Sequence, residues 1–277
     1  MKLSIIIPNY NGKVLLEKML PHLEKALKDQ KDSEIIIYDN NSTDESRVFI
    51  ETKYPNIRLI ASSENDGFTK AVNCAALSAK NELLLLLNND CFINDQTISL
   101  MIEFLRKNPG YCMTQPVVLN NKGDIENIGF VVDISRAKAR AITDPKDTYI
   151  DEEYTRFPNS KGILYGLSAT CLLVKRDVFI NEGMFDESFH SYLEDVDLAF
   201  RLAHSHKKYF PTLNAKCTHE HMATSIKMGS YKQQRDFLNW IRIILKNYST
   251  SLILSHFFPL ALERMRNLNG LLKKLVK

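Results

Sequence analysis

The chain has 277 residues, 44% of them apolar and 25% charged, with a net charge of +3 at neutral pH. These ordinary globular values exclude a disordered or collagen-like chain, and so small a charge does not announce a nucleic-acid partner. Five scattered cysteines without a CxxC pair argue against a zinc module or a disulfide framework, and fit a reducing compartment.

A β-branched run over 3–7 is closed by Pro8, Asn9, Asn11 and Gly12, which predicts a buried strand and then a loop. Leu15, Leu16, Met19, Leu23, Ala26 and Leu27 at helical spacing predict a helix over 14–28. Residues 34–38 form the second predicted strand, ended by Asp39-Asn40-Asn41-Ser42. Ser42 or Thr43 is placed to cap a helix through about residue 53. A third strand over 57–61 precedes a helix over 67–79. The fourth strand, 82–87, is the most apolar and stops at Asn88-Asn89-Asp90. A helix over 97–107 and a strand over 111–118 follow. Strand and helix alternate to this point, the pattern of a parallel sheet with helices on both faces.

The rhythm then breaks. A hairpin is expected over 125–132, then a polar segment over 143–161 with the length of a mobile lid. Strand over 162–174, short helix over 176–181, helix over 196–204, and short strands at 209–210 and 215–218 complete the body. The remainder, from about residue 230, reads as helical. Residues 226–277 carry ten basic side chains against two acidic ones, a net +8, which leaves −5 for the body. This basic, apolar-sided tail fits either packing or dimerisation, or an interfacial contact with an anionic membrane. No run of about 18 apolar residues exists, and the apolar N-terminal stretch is shorter than a signal peptide needs.

Ligands of such sheets bind beyond the carboxyl ends of the strands. Three strand ends there carry Asn and Asp clusters, which suit turns singly and a polar pocket together. No GxGxxG, P-loop or GxSxG motif is present. A diphosphate at this edge needs a divalent cation, and Asp90 is a hard oxygen ligand suited to Mg²⁺ or Mn²⁺. Glu194, Asp195 and Asp197 lie in a second cluster. Capping and an Asp197–Arg201 pair explain part of it, and one acid is a candidate general base.

Six motifs in order carry a resemblance: 4–11 (SIIIPNYN), 37–44 (IYDNNSTD), 65–68 with Asn73, 87–90 (LNND), 183–187 (GMFDE), and 194–198 with Arg201. Over about residues 3–225 the chain resembles family 2 glycosyltransferases of the bacterial rhamnosyltransferase-like type. The resemblance implies a GT-A-type α/β domain over 1–225, with a mixed, mainly parallel sheet, and a basic helical extension over 226–277. It implies an inverting, metal-dependent transfer from a UDP- or dTDP-sugar to a glycan or lipid-linked acceptor, in the cytoplasm or at the inner membrane face, in cell-surface polysaccharide synthesis. A non-catalytic nucleotide-sugar- or glycan-binding relative is the alternative. Asp195 takes the role of base, with Glu194, Asp197 and Gly166 as acceptor or supporting residues. Pro8, Tyr10, Asp39, Asn41, Asn65, Gly67, Asn73 and Asn89 fall to the nucleotide sugar. Asp90 falls to Mn²⁺ or Mg²⁺, joined by His221 or, second, His219. The family often has Asp-x-Asp where this chain has Asn88-Asn89-Asp90. His190, His204 and His206 are expected on the surface.

Overall fold

The structure is a computed structural model, and residues 1–148, 157, 162–220 and 231–275 are described. Its first strands are β1 (Leu3–Asn9), β2 (Glu34–Asp39), β3 (Arg58–Ala61) and β4 (Leu83–Leu87). They are joined through α1 (Lys13–Ala26), α2 (Ser46–Lys53) and α3 (Gly67–Ser78). Then come β5 (Cys91–Ile93), α4 (Thr97–Lys107), β6 (Tyr111–Thr114), β7 (Pro116–Leu119), β8 (Ile125–Asn127), β9 (Phe130–Asp133) and β10 (Lys138–Ala141). The second half holds β11 (Ile163–Gly166), β12 (Cys171–Lys175), α5 (Arg176–Asn181), α6 (Glu194–His204), β13 (Lys208–Tyr209) and β14 (Thr212–His219). Three helices close the chain: α7 (Tyr231–Asn247), α8 (Thr250–Ser255) and α9 (Phe257–Leu275).

Among the described residues, seven strands form the central sheet in the order β13-β6-β12-β4-β1-β2-β3. β1 pairs in parallel with β2 and β4, and β2 with β3, while β12 runs antiparallel between β4 and β6. Alternation sends Leu83, Leu85 and Leu87 of β4 to one face and Leu84 and Leu86 to the other. The first face packs on α1 and α4, and the second on α3, α5 and α6. Each such Leu contributes about 1.5–3 kcal/mol by leaving water. Ala71, Ala75 and Ala76 let α3 lie close on the sheet. The sulfurs of Cys91, Cys171 and Cys217, scattered in sequence, meet within 4.8 Å of one another in the core.

The strand expected over 111–118 is two strands of different sheets, broken at Gln115. Gln115 is buried, and its amide bonds Asn127 (3.0 Å) and the Ser168 N–H (2.6 Å), so the kink leaves no orphan there. The expected 125–132 hairpin is absent. β8 pairs with β7, whereas β9 pairs with β10 and β11. Gly129, at φ +123, turns the chain between the two sheets. The 162–174 strand is likewise interrupted over 167–170, between β11 and β12. Nor does Ser42 or Thr43 cap α2. Ser42 bonds Asn9 and the Asn11 N–H instead, and Asp44 accepts the Ser46 N–H at 3.0 Å. The 143–161 segment lies mostly outside the described residues.

The C-terminal helices share a third core with the body. Trp240, Ile243 and Ile244 of α7 and Leu260 of α9 meet Phe130, Val132 and Leu164, with Val196 and Phe200 of α6. Buried Asp197, paired with Arg201 of its own helix (2.8 Å), ties the tail down through Lys246 (3.0 Å) and Asn247 (3.1 Å). Among the described residues no helix is long and apolar enough to cross a membrane.

Candidate active site

A cavity of about 1100 Å³ opens along the carboxyl edge of β1, β2 and β4. Its sheet side presents Pro8, Tyr10, Asn40, Asn65, Gly67 and the Asn88–Asp90 turn. Its far side presents 168–170, 190–195, His219 and one face of α7. Thus both carboxylate clusters seen in the sequence face one space.

The donor-side residues separate into those that line the cavity and those that hold its wall. Asn89 Nδ2 donates to Asn9 Oδ1, and Asn9 Nδ2 to Asp39, each at 2.9 Å. Asp39 is wholly buried and also accepts Arg47 Nε (2.6 Å) and the Ser42 N–H (2.9 Å). Burial works against its charge, but hydrogen bonds from Ser42, Arg47 and Asn9 hold it below the usual carboxylate range. Asp39 therefore braces the pocket from behind. Its neighbour Asn40, not the exposed Asn41, reaches the cavity. Asn73 does not line the cavity either. Its amide is taken by both backbone polar groups of Phe185 and by Glu187, so it clamps α3 to the 185–187 segment. Gly67 sits at φ +79, and a Cβ there would lie 2.6 Å from the His190 ring. Asn88 Oδ1 is shut from water without a partner among the described residues.

Asp90 Oδ1 lies 3.2 Å from His219 Nε2, and His219 Nδ1 lies 3.0 Å from Glu126. Burial alone lowers the imidazole pKa, yet the bonds to Asp90 and Glu126 outweigh it and push it up to about 10. The two carboxylates thus gather positive charge at this point. Adjacent ligands of an octahedral ion with bonds of about 2.1 Å are about 3 Å apart, so Asp90 and His219 fit a Mg²⁺ or Mn²⁺ shell. His221 lies outside the described residues. Glu126 was missed because it comes from β8, far from the sequence motifs.

On the far side, Asp195 accepts the Val196 N–H (2.8 Å) and the Ala169 N–H (3.4 Å). Burial pushes its carboxyl up to about 6, against those two bonds. Glu194, 7% exposed, goes further, to about 8, by burial and then by the Asp195 charge. Its Oε2 has no partner among the described residues. Asp197 is excluded from the cavity and carries the ion pairs described above. Gly166 does not line the cavity either. A Cβ there would strike the Phe130 ring at 2.3 Å, so it serves close packing while Ser168, Ala169 and Thr170 form the wall.

The backbone just before Glu194 is left-handed at His190, Tyr192 and Leu193. Buried Asn239 of α7 holds it, donating to the carbonyls of Phe189 (3.2 Å), Ser191 (2.9 Å) and Tyr192 (2.7 Å). His190 is half-buried, bonded to Tyr231 (2.9 Å), and its pKa is lowered by burial and by Arg235. His204 and His206 are exposed as expected, but His190 is part of the cavity. No motif betrays Asn239 or Tyr231.

The family profile of Glycosyl transferase family 2 matches residues 4–182. An N-acetylglucosaminyl-diphospho-decaprenol L-rhamnosyltransferase of Mycobacterium tuberculosis is 27% identical over 205 residues, 66% of each chain. The match thus leaves about a third of that protein uncovered. A poly(ribitol-phosphate) beta-glucosyltransferase of Bacillus spizizenii is 33% identical over 112 residues, 39% of this chain and 18% of its own. A Pyrobaculum calidifontis mannosyltransferase solved with GDP-Man and Mn²⁺ superposes at TM-score 0.64 and 15% identity, over 97% of this chain and 74% of that one. Staphylococcus aureus TarS 1–349 with UDP-GlcNAc gives 0.60 and 19%, over 90% and 68%. These likenesses show a GT-A fold.

Proposed function

The chain belongs to glycosyl transferase family 2 and is a sugar transferase; from that premise we propose an inverting, cation-assisted transfer from a nucleoside-diphosphate sugar to a hydroxyl of a glycan or lipid-linked acceptor. The observation that carries it is the pairing, across one cavity, of the Asp90–His219 cluster with Asp195. Pro8, Tyr10 and Asn40 would bound the base, and Asn65, Gly67 and Asn89 the ribose and diphosphate. Asp90 and His219, backed by Glu126, would hold Mn²⁺ or Mg²⁺. When bound, the ion supplies charge compensation for the departing diphosphate.

Asp195 takes the proton of the acceptor hydroxyl as that oxygen bonds the anomeric carbon. The bond to the diphosphate oxygen breaks, and its electron pair leaves with the nucleoside diphosphate. Attack from the opposite face inverts the centre, as when a base activates the nucleophile in inverting glycosidases. A carboxylate raised toward 6 is ionised at neutral pH and a stronger base than an ordinary Asp. Glu194 is neutral there and leaves the proton to its neighbour. A thermal-shift screen of nucleotide sugars tests this reading. A UDP- or dTDP-sugar should raise Tm with Mn²⁺ and do so less in EDTA. A screen in which no nucleotide sugar raises Tm under either condition would remove the proposal.

A cytoplasmic enzyme in cell-surface polysaccharide synthesis, docked peripherally on the inner membrane face, fits the outer surface of α9. Phe258 (83% exposed), Leu262 and Met265 form an apolar row there, continued by Leu272, with Arg266 and Lys273 alongside. Apolar residues beside cations suit an anionic lipid surface. The full chain should co-sediment with anionic liposomes at low salt, and a Phe258→Ser/Leu262→Ser variant should do so less. Equal partitioning of the two, or a dimer in sedimentation velocity that the variant loses, would replace the membrane with packing or self-association.

A further inference from the structure

One group of reactive side chains takes no part in the cavity. Cys91 of β5, Cys171 of β12 and Cys217 of β14 are wholly buried free thiols. Their Sγ atoms all lie within 4.8 Å of one another. No sequence spacing announces the group, because its members come from three strands of two sheets. β12 belongs to the central sheet, while β5 and β14 pair antiparallel in the four-stranded one. The other two cysteines, Cys74 and Cys112, pack on the opposite face of the central sheet.

A single buried cysteine is a small hydrophobe and needs no further account. Three sulfurs brought to one point from three strands make a metal donor set. At a Zn–S distance of about 2.3 Å, three sulfurs around one ion stand about 4 Å apart, inside the observed limit. An ion there occupies the space between the sulfurs and takes the place of thiol protons, which leave to solvent. Such a site needs no open mouth, since structural metal sites are closed. Among the described residues no fourth cysteine, histidine or carboxylate joins the group. Its register neighbours are apolar: Leu87 beside Cys171, and Ile93 and Val118 beside Cys217. An all-sulfur set in apolar surroundings disfavours Mg²⁺ and Mn²⁺, which prefer oxygen, and suits a soft cation.

We propose that Cys91, Cys171 and Cys217 form a structural site for one soft, thiophilic cation, Cu⁺ or Zn²⁺, which fastens β5 and β14 to β12. Cys91 follows Asp90, Cys171 follows Thr170 of the cavity wall, and Cys217 stands two residues before His219. The ion therefore ties together the backbone segments that carry the hard-cation pair and the wall opposite Tyr10. It goes beyond the transferase reading and does not depend on it.

Because the folded core closes off the sulfurs, the full chain would be refolded from urea with Cu⁺ or Zn²⁺, without oxygen and under a phosphine reductant. One equivalent should stay bound through desalting and raise Tm. X-ray absorption at the metal edge should show three sulfur neighbours. Cys91→Ala, Cys171→Ala or Cys217→Ala should each weaken retention by about 100-fold or more, while Cys112→Ala keeps it. Should the cluster variants fail to fold, the sulfur count in the wild type decides alone. The ion that withstands a competing chelator better names the cation. No retained ion, oxygen or nitrogen neighbours in place of sulfur, equal retention in the three variants, or a disulfide among the three under the same reductant would overturn the site.

Discussion

Asp195→Asn should lower kcat by about 10²–10⁴-fold, the usual contribution of a general base, while nucleotide affinity stays at the wild-type value. Asn preserves the shape of the residue and can still accept the Val196 N–H, now at 2.8 Å, so the first turn of α6 stays in place. What disappears is the site for the acceptor proton. The wild-type rate should also carry an acid limb. Burial raises the Asp195 pKa to about 6, and the base acts only when unprotonated, so the rate falls as pH drops through about 6. Glu194 works in the other direction on stability. Its folded pKa of about 8 lies above its unfolded value near 4.5, so the native state holds a proton that the unfolded chain releases between them. Its contribution is full below 4.5 and declines as pH rises through 8. Steady-state rates at saturating acceptor across this range check the assignment. Near-wild-type turnover in the Asn variant would return Glu194 as the candidate.

Asp90→Ala should remove most of the gain in nucleotide affinity that Mn²⁺ provides, a loss on the order of 10²-fold. Changing a group behind the metal ligands already costs about 10–100-fold in many sites, and a direct ligand should cost at least as much. The side chain is partly exposed and pairs with His219 at the sheet edge, so the sheet should tolerate its loss. His219 would keep Glu126. Metal-free affinity should change little, because Asp90 repels rather than attracts a bare diphosphate.

The buried strands were readable because a parallel sheet covered on both faces requires unbroken apolar runs, and the five leucines of β4 are such a run. The polar strand ends were readable because topology alone places them on one edge. Sheet assignment after residue 111 was not. The pattern at 111–118 and 162–174 is continuous, and only tertiary packing splits each run, the first at Gln115 and the second over 167–170. The splits matter, since the 167–170 detour supplies the wall beside Asp195. Asp39 and Asn73 carry motif identity but act from behind the wall or beside it, which a one-dimensional motif cannot distinguish. Glu126, His190 and Arg264 reach the cavity from separate parts of the chain, Asn239 holds the backbone beside it from within the core, and each would pass in isolation for a surface or core residue.

The central claim is a division of labour across one cavity, with Asp90 on the cation-bound donor and Asp195 on the acceptor proton. Calorimetric titration of UDP and dTDP into wild type, Asp195→Asn and Asp90→Ala, each with and without Mn²⁺, tests it most directly. Wild type and Asp195→Asn should bind one of the nucleotides with the same Mn²⁺-enhanced affinity, and Asp90→Ala should lose the enhancement. Metal-enhanced binding that survives intact in Asp90→Ala, or that vanishes in Asp195→Asn, would contradict the account.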